Sequence, residues 1–209
     1  MKHILVYGDS LSWGIIPNTR QRLAFDRRWP GVMESELLAS GSQVRVIEDC
    51  LNGRRTVWED PFKPGRNGLA GIEQRIEINS PLSLVILMLG INDFQSMHQL
   101  NSWHSAQGIA ALVRAIRQAP VEPGMPVPPI LIVTPPQAGE AKANMAPKFE
   151  AAREKSAGLG EASGRWPVKW AALSWMPVCW SPRARWMAFT LMLISMWFLA
   201  AKLRGWWQV

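Results

Sequence analysis

Ser83-Leu84-Val85-Ile86-Leu87-Met88-Leu89, followed by Gly90-Ile91-Asn92-Asp93, carries the strongest indication of fold class. The run is apolar almost throughout and shows no alternation. A strand of that kind has both faces buried, as in the middle of a parallel sheet. Three shorter runs look like its neighbours. Ile4-Leu5-Val6-Tyr7 enters a turn at Gly8-Asp9-Ser10, Val44 to Glu48 reads as a second strand, and Pro129 to Val133 is stopped by Pro135-Pro136. Helical spacing appears between them. Val32, Met33, Leu37 and Leu38 recur after Pro30-Gly31, and Gln107 to Gln118 puts Ile109, Leu112, Val113 and Ile116 on one face. Phe149 to Lys155 also reads as helix. Strands separated by helices imply βαβ units, so the predicted class is α/β with a doubly wound parallel sheet. Segments 54–68 and 119–129 are Pro/Gly/Arg-rich connectors, and no internal repeat is present.

The 209 residues suffice for one domain, with 48% hydrophobic and 19% charged residues. This excludes a disordered chain, a coiled coil and a collagen-like repeat. Cys50 and Cys179 are too few for a disulfide framework and lack metal-ligand spacing. The segment before Gly8 is too short for a signal peptide, so the expected compartment is the cytoplasm. The net charge of +7 is unevenly placed. Residues 1–161 hold 17 Lys+Arg and all 16 Asp+Glu, whereas residues 162–209 hold six Lys+Arg, no acid, no histidine and eight of the twelve tryptophans. Two units are therefore expected: a domain over 1–161 and a Trp-rich basic tail over 162–209.

In doubly wound sheets, ligands bind at the carboxyl ends of the strands. Three elements fall there, each with a different chemical part. Ser10 offers a hydroxyl nucleophile, Gly53 a backbone N–H with no side chain to block approach, and Asn92 an amide donor. A nucleophile with convergent neutral donors suits acyl transfer, in which negative charge develops on a carbonyl oxygen. Taken singly, each has an ordinary alternative: Gly-Asp-Ser a turn, Gly53 a turn glycine, Asn92-Asp93 a helix cap.

Taken in order, the blocks resemble the GDSL or SGNH hydrolase superfamily. They are Gly8-Asp9-Ser10-Leu11, Gly53, and Gly90-Ile91-Asn92-Asp93. The arylesterase and acyltransferase branch is similar in further blocks: Ser12-Trp13-Gly14, Arg28-Trp29-Pro30-Gly31-Val32, Leu51-Asn52-Gly53-Arg54-Arg55-Thr56, Asp60-Pro61 and Val133-Thr134-Pro135-Pro136. The resemblance covers about residues 2–160. It implies a flavodoxin-like three-layer α/β/α fold with a central parallel sheet. It implies a serine ester hydrolase for aryl or short-acyl esters, with an acyltransferase variant, and no metal or organic cofactor. Ser10 would be the nucleophile. The N–H groups of Ser10 and Gly53 and the side chain of Asn92 would form the oxyanion hole. Trp13 would line the acyl pocket or serve as an ordinary core aromatic. The branch forms oligomers; the Arg-rich 54–68 loop is one candidate contact, a solvated loop being the other reading.

The chain departs from the family at its end. An Asp-x-x-His block, whose His takes the serine proton and whose Asp orients the His, has no counterpart in residues 162–209. His3, His98 and His104 are the only histidines, and His98 or His104 would have to replace it. The genetic code supplies another account. Trp and Met have one codon each, and Trp-Met read in the neighbouring frame contains an Asp codon. Trp186-Met187-Ala188 then becomes Asp-Gly, Phe189 permits Ile or Val, and Thr190 permits His. Trp175-Met176-Pro177 becomes Asp-Ala. The tail thus reads as an out-of-frame version of the missing block, entered near Gly160 to Pro167. Two rivals remain. Met187 to Ala201 is fifteen residues of near-apolar sequence, short of the roughly 20 that span a bilayer, so a membrane-anchored esterase is one. A nucleic-acid binder is the other, but the tryptophans show no spacing suited to base stacking. The expected partner is a small ester. A catalytically impaired protein of the same fold is the non-enzyme alternative.

Overall fold

The computed structural model describes residues 1–16, 19–142 and 145–164; the tail beyond Gly164 lies outside them. The described chain runs β1 (Lys2–Gly8), α1 (Ser10–Trp13), α2 (Trp29–Ala39), β2 (Val44–Cys50), α3 (Ile72–Asn79), β3 (Leu84–Met88), α4 (Ser102–Gln118), β4 (Ile130–Ile132), α5 (Ala152–Ser156) and α6 (Leu159–Gly164). Short 3₁₀ turns occupy Phe25–Arg27 and Ile91–Phe94. All four strands pair in parallel in the order β2-β1-β3-β4. The chain therefore winds first to one side of β1 and then to the other, and its switch point lies between β1 and β3.

Three layers follow from the two-residue period of the strands. On β1, Leu5 and Tyr7 pack with Val85, Leu87 and the apolar residues of α3 and α4. Ile4 and Val6 point the other way, with Ile86 and Met88, onto Trp29, Met33 and Leu37 of α2. Both faces of β1 and β3 are buried, as the unbroken apolar runs require. The predicted face of α4 holds: Ile109, Leu112, Val113 and Ile116 are all buried. Each contributes about 2 kcal/mol by its removal from water. This is the expected three-layer α/β/α architecture.

Some local expectations change. Pro30 and Gly31 open α2 rather than precede it, because Pro suits the first helical turn. At Gly31 a Cβ would lie 1.8 Å from the Phe25 carbonyl oxygen, so only glycine lets the preceding turn close on the helix. Leu38 faces outward and is exposed, leaving Met33 and Leu37 to carry the seam. The helix expected from Phe149 starts at Ala152, and Phe149 instead joins a small cluster with Ile91, Phe94, Ala138 and Leu159. Helix α3 has no counterpart in the sequence reading. Its only buried residues are Ile72 and Ile76, too sparse a stripe to stand out. Within the 54–68 connector Arg54, Arg55 and Thr56 are buried, whereas residues 61–65 are exposed. No described helix is long and apolar enough to cross a membrane. Residues 162–164 close α6, and the 187–201 run lies outside the described residues.

Candidate active site

The strand register sets the site. Gly8 pairs with Cys50 on one side and Met88 on the other, so three strands end at one level. Each then hands on to a loop carrying one expected residue. The Leu51 N–H and the Arg54 guanidinium both donate to the Gly8 carbonyl, at 3.0 and 3.1 Å. The Asn92 amide donates to Asp9 Oδ2 and to the Arg54 carbonyl, each at 3.2 Å. The three blocks therefore meet across the β1/β3 switch point.

Ser10 is the first residue of α1. Asp9 caps it, its Oδ1 accepting the Leu11 N–H at 2.9 Å. That turn leaves the Ser10 side chain half-buried, with no hydrogen-bond partner for its hydroxyl among the described residues. The Ser10 and Gly53 N–H groups likewise donate to no described acceptor. Gly53 has φ of +82°, a left-handed conformation that side chains disfavour, and a Cβ there would meet only Arg66 Cγ at 3.9 Å. It is the backbone angle, not crowding, that asks for glycine. Asn92 is buried, and its two amide protons rest on acceptors at the long end of the hydrogen-bond range. Trp13 lies one helical turn from Ser10 and is half-buried, with the Arg22 guanidinium 5.0 Å above its ring. Arg22 also donates to the Trp13 carbonyl and to Glu48, which Arg28 grips with two 2.6 Å bonds.

A buried polar network lies beneath these groups. The Arg54 guanidinium stacks 3.9 Å from the centre of the Tyr7 ring and pairs with Asp49 at 2.7 Å. Asp93 accepts from the Thr56 N–H, the Thr56 hydroxyl and the Ser105 hydroxyl at 2.9, 2.8 and 2.7 Å. It thereby ties the Gly53–Thr56 loop to α4, where Gly108 leaves room: a Cβ there would lie 2.1 Å from Thr56 Oγ1. Burial dominates the acidity of both nearby carboxyls. It pushes Asp9 up to about 7 and raises Asp93 as well, against the pull of their donors. Arg55 pairs with Asp60 at 3.0 Å and donates to Gln95 at 2.6 Å. None of these supporting roles is legible in residue spacing. The only signal was the Arg54-Arg55-Thr56 and Asp93 letters within the family blocks.

Neither alternative histidine contacts Ser10 through a hydrogen bond. His104 completes the capping box of α4, its Nδ1 lying 3.3 Å from the Asn101 N–H and 2.8 Å from Asn101 Oδ1. His98 faces the 54–60 loop, where desolvation and then Arg55 lower its basicity. His3 lies on β1, at the strand end opposite the site. The positions that would carry the Asp-x-x-His block fall outside the described residues. Among the described residues, no group of three His, Cys, Asp or Glu side chains is arranged to hold a metal ion.

Residues 6–175 match the GDSL-like lipase/acylhydrolase family. The chain belongs to that family. The expected class of carboxylic ester hydrolases is the class this family describes, and similar solved structures are described as esterases. The aryl esterase of M. smegmatis in its inhibitor-bound form is 32% identical, with a TM-score of 0.73 and 79% of each chain covered. A carbohydrate acetylesterase family member from Sinorhizobium meliloti is 34% identical at a TM-score of 0.73, covering 79% of this chain and 78% of that one. An arylesterase of Vibrio mimicus is 33% identical over 90 residues, 43% of this chain and 37% of the relative. The match thus spans little more than a third of that relative's length. These likenesses place the chain in the arylesterase branch of the GDSL-like hydrolases.

Proposed function

We propose that this protein is a serine esterase of arylesterase type that cleaves short-acyl esters through an acyl-enzyme on Ser10. The observation that carries this is the setting of the Ser10 hydroxyl. It is half-buried at the switch point and has no hydrogen-bond partner among the described residues, beside the Ser10 and Gly53 N–H groups, which donate to no described acceptor, and the Asn92 amide. Relatives described as aryl esterase and carbohydrate acetylesterase support a small acyl group and a small ester partner. Ser10 Oγ adds to the ester carbonyl and gives up its proton to a general base. The oxyanion rests on the two N–H groups and on Asn92. Collapse expels the alcohol or phenol, which takes the proton back, and water or a second alcohol then releases the acyl group by the same steps. Trp13, on the same helical face as Ser10, borders the acyl group.

The general base in this account is the His of the block written out of frame at Trp186-Met187-Ala188-Phe189-Thr190. One observation favours a second reading, a catalytically impaired member of the family: residues 162–209 as written contain no Asp, Glu or His. Loss of a triad member costs several orders of magnitude in turnover. The test compares the written chain with one whose frame is restored after Gly160. Nitrophenyl acetate hydrolysis and fluorophosphonate labelling of Ser10 should be strong in the restored chain and weak in the written one, and Ser10→Ala should abolish both. Undiminished hydrolysis by Ser10→Ala would remove Ser10 as nucleophile. Equal activity of the two chains would remove the frame argument and point to a base elsewhere, with His98 and His104 the first to mutate.

A further inference from the structure

The buried network below the site also decides which end of the Asn92 amide faces the strand ends. We propose that Gln95, held by Arg55, is a positioning residue that fixes the polarity of the Asn92 amide, so that its N–H₂ and not its oxygen faces the Ser10 loop. The inference rests on the proposed role of Asn92 as an oxyanion donor and extends it to residues that never touch substrate.

Each side chain in this network offers a fixed set of donors and acceptors. A guanidinium has donors only, whereas an amide side chain has a donor end and an acceptor end. Arg55 is fully buried, with Asp60 at 3.0 Å fixing its plane. Its Nη2 lies 2.6 Å from the side chain of Gln95, which is also fully buried. The Gln95 atom facing Arg55 must therefore be the oxygen. Its other end is then the N–H₂ group, and this lies 2.9 Å from the Asn92 side chain. The Asn92 atom facing Gln95 must in turn be its oxygen. That leaves the Asn92 N–H₂ directed at the Arg54 carbonyl, which only accepts, and at Asp9 Oδ2, which only accepts in the carboxylate form. Every link agrees, from the Asp60 carboxylate through two amides to the end of β1.

Local geometry makes the coupling direct. Asn92 and Gln95 are three residues apart around the 3₁₀ turn of Ile91–Phe94, and in such a turn side chains at that spacing eclipse. Both residues are buried, Asn92 at 5% exposure and Gln95 at 0%, so a lost protein partner is costly to replace. Arg55 also reaches the carbonyl of Gly53 at 3.4 Å. One guanidinium thus bears on the Gly53 loop and, through Gln95, on Asn92, two of the three donors proposed for the oxyanion.

Two substitutions separate this role from simple anchoring of Arg55. Gln95→Glu keeps an acceptor for Arg55 but sets a carboxylate oxygen against the Asn92 oxygen, which opposes the working polarity. Gln95→Met leaves Arg55 without its partner but does not oppose that polarity, which Asp9 and the Arg54 carbonyl still favour. Polarity control therefore predicts that Glu is the worse variant for turnover, and anchoring predicts that Met is. The full chain, written and frame-restored, would be assayed with nitrophenyl acetate alongside Asn92→Ala. Gln95→Glu should lower kcat by about 10²-fold, approaching the loss of a whole oxyanion donor, with KM changed less than about threefold. Gln95→Met should lower kcat less than about tenfold while unfolding at a lower temperature than Gln95→Glu.

Side-chain amide NMR of the isotope-labelled full chain gives a readout independent of turnover. In the parent protein and in Gln95→Met the Asn92 amide protons should show contacts to the Asp9–Leu11 turn, and in Gln95→Glu to the residue 95 side chain. Unmoved contacts in Gln95→Glu, or a Gln95→Met variant less active than Gln95→Glu, would overturn the proposal. Unchanged kcat in Asn92→Ala would instead overturn the oxyanion role of Asn92, and the NMR contacts would still decide the polarity.

Discussion

Removing the charge at Asp9 should change how the stability of the protein depends on pH. Asp9 is 1% exposed, and burial outweighs its Leu11 and Asn92 donors and the Arg54 charge to move its carboxyl from 3.8 to about 7. Between those values the folded chain keeps a proton that the unfolded chain has released. Stability from this group is therefore complete below about pH 4 and is lost as pH rises toward 7, at up to about 1.4 kcal/mol per pH unit. The whole window amounts to about 4 kcal/mol. Asp9→Asn carries no charge at any pH. It loses one hydrogen bond, because its new N–H₂ must face either the Leu11 N–H or the Asn92 amide, so it should be the less stable protein at pH 4. From pH 4 to 8 the difference should move in favour of Asp9→Asn by about 4 kcal/mol, since every other titrating group contributes to both curves. Urea unfolding of both proteins, followed by tryptophan fluorescence at one-unit pH steps, measures this difference. Parallel stability curves across that range would refute a buried, proton-retaining Asp9.

Three further outcomes are expected. Asn92→Ala should lower kcat for nitrophenyl acetate by roughly 10²–10³ with a smaller change in KM, whereas a raised KM at constant kcat would make Asn92 a binding residue. Asp93→Ala leaves the Thr56 N–H, the Thr56 hydroxyl and the Ser105 hydroxyl without their buried acceptor. At about 1–3 kcal/mol for each stranded group, only partly additive, the loss should be about 4 kcal/mol, or roughly 10 °C in Tm by calorimetry. Gly53→Ala meets no clash but must hold φ at +82°, so the urea midpoint should fall by the equivalent of about 1 kcal/mol.

The elements differ in how far they could be read in advance, for physical reasons. β1 and β3 are buried on both faces, so their composition is nearly uniform and stands out in one dimension. The placement of Ser10, Gly53 and Asn92 beyond strand ends was legible because each follows an apolar run that a turn stops. Helix α3, with two buried residues, and the rewritten start of α2 were not, because each depends on a neighbour: a sheet face already formed, or the Phe25 turn against Gly31. In the sequence the Arg-rich 54–68 segment reads as a contact loop or a solvated loop, because positive residues in a Pro/Gly-rich stretch usually lie at the surface. Here Asp49, Asp60 and the Tyr7 face supply partners that make their burial tolerable.

The class of fold, the order of the strands along the chain and the residue types at the ends of three of them are all written in the amino-acid sequence. It also carries the anomaly of the tail, since the absence of acids and histidine after residue 161 is a fact of composition. Only the tertiary structure decided that Gly8, Cys50 and Met88 end level, and so that the three blocks meet. It alone showed that Arg55, Gln95 and Asn92 form one hydrogen-bonded chain and that Asp93 ties the Gly53 loop to α4. The reason is the range of the forces involved. Hydrophobic periodicity is written along the chain and is read locally. Hydrogen-bond partnership between residues about forty positions apart, as from Arg55 to Gln95 or Thr56 to Asp93, is set by which strands pair and in what register.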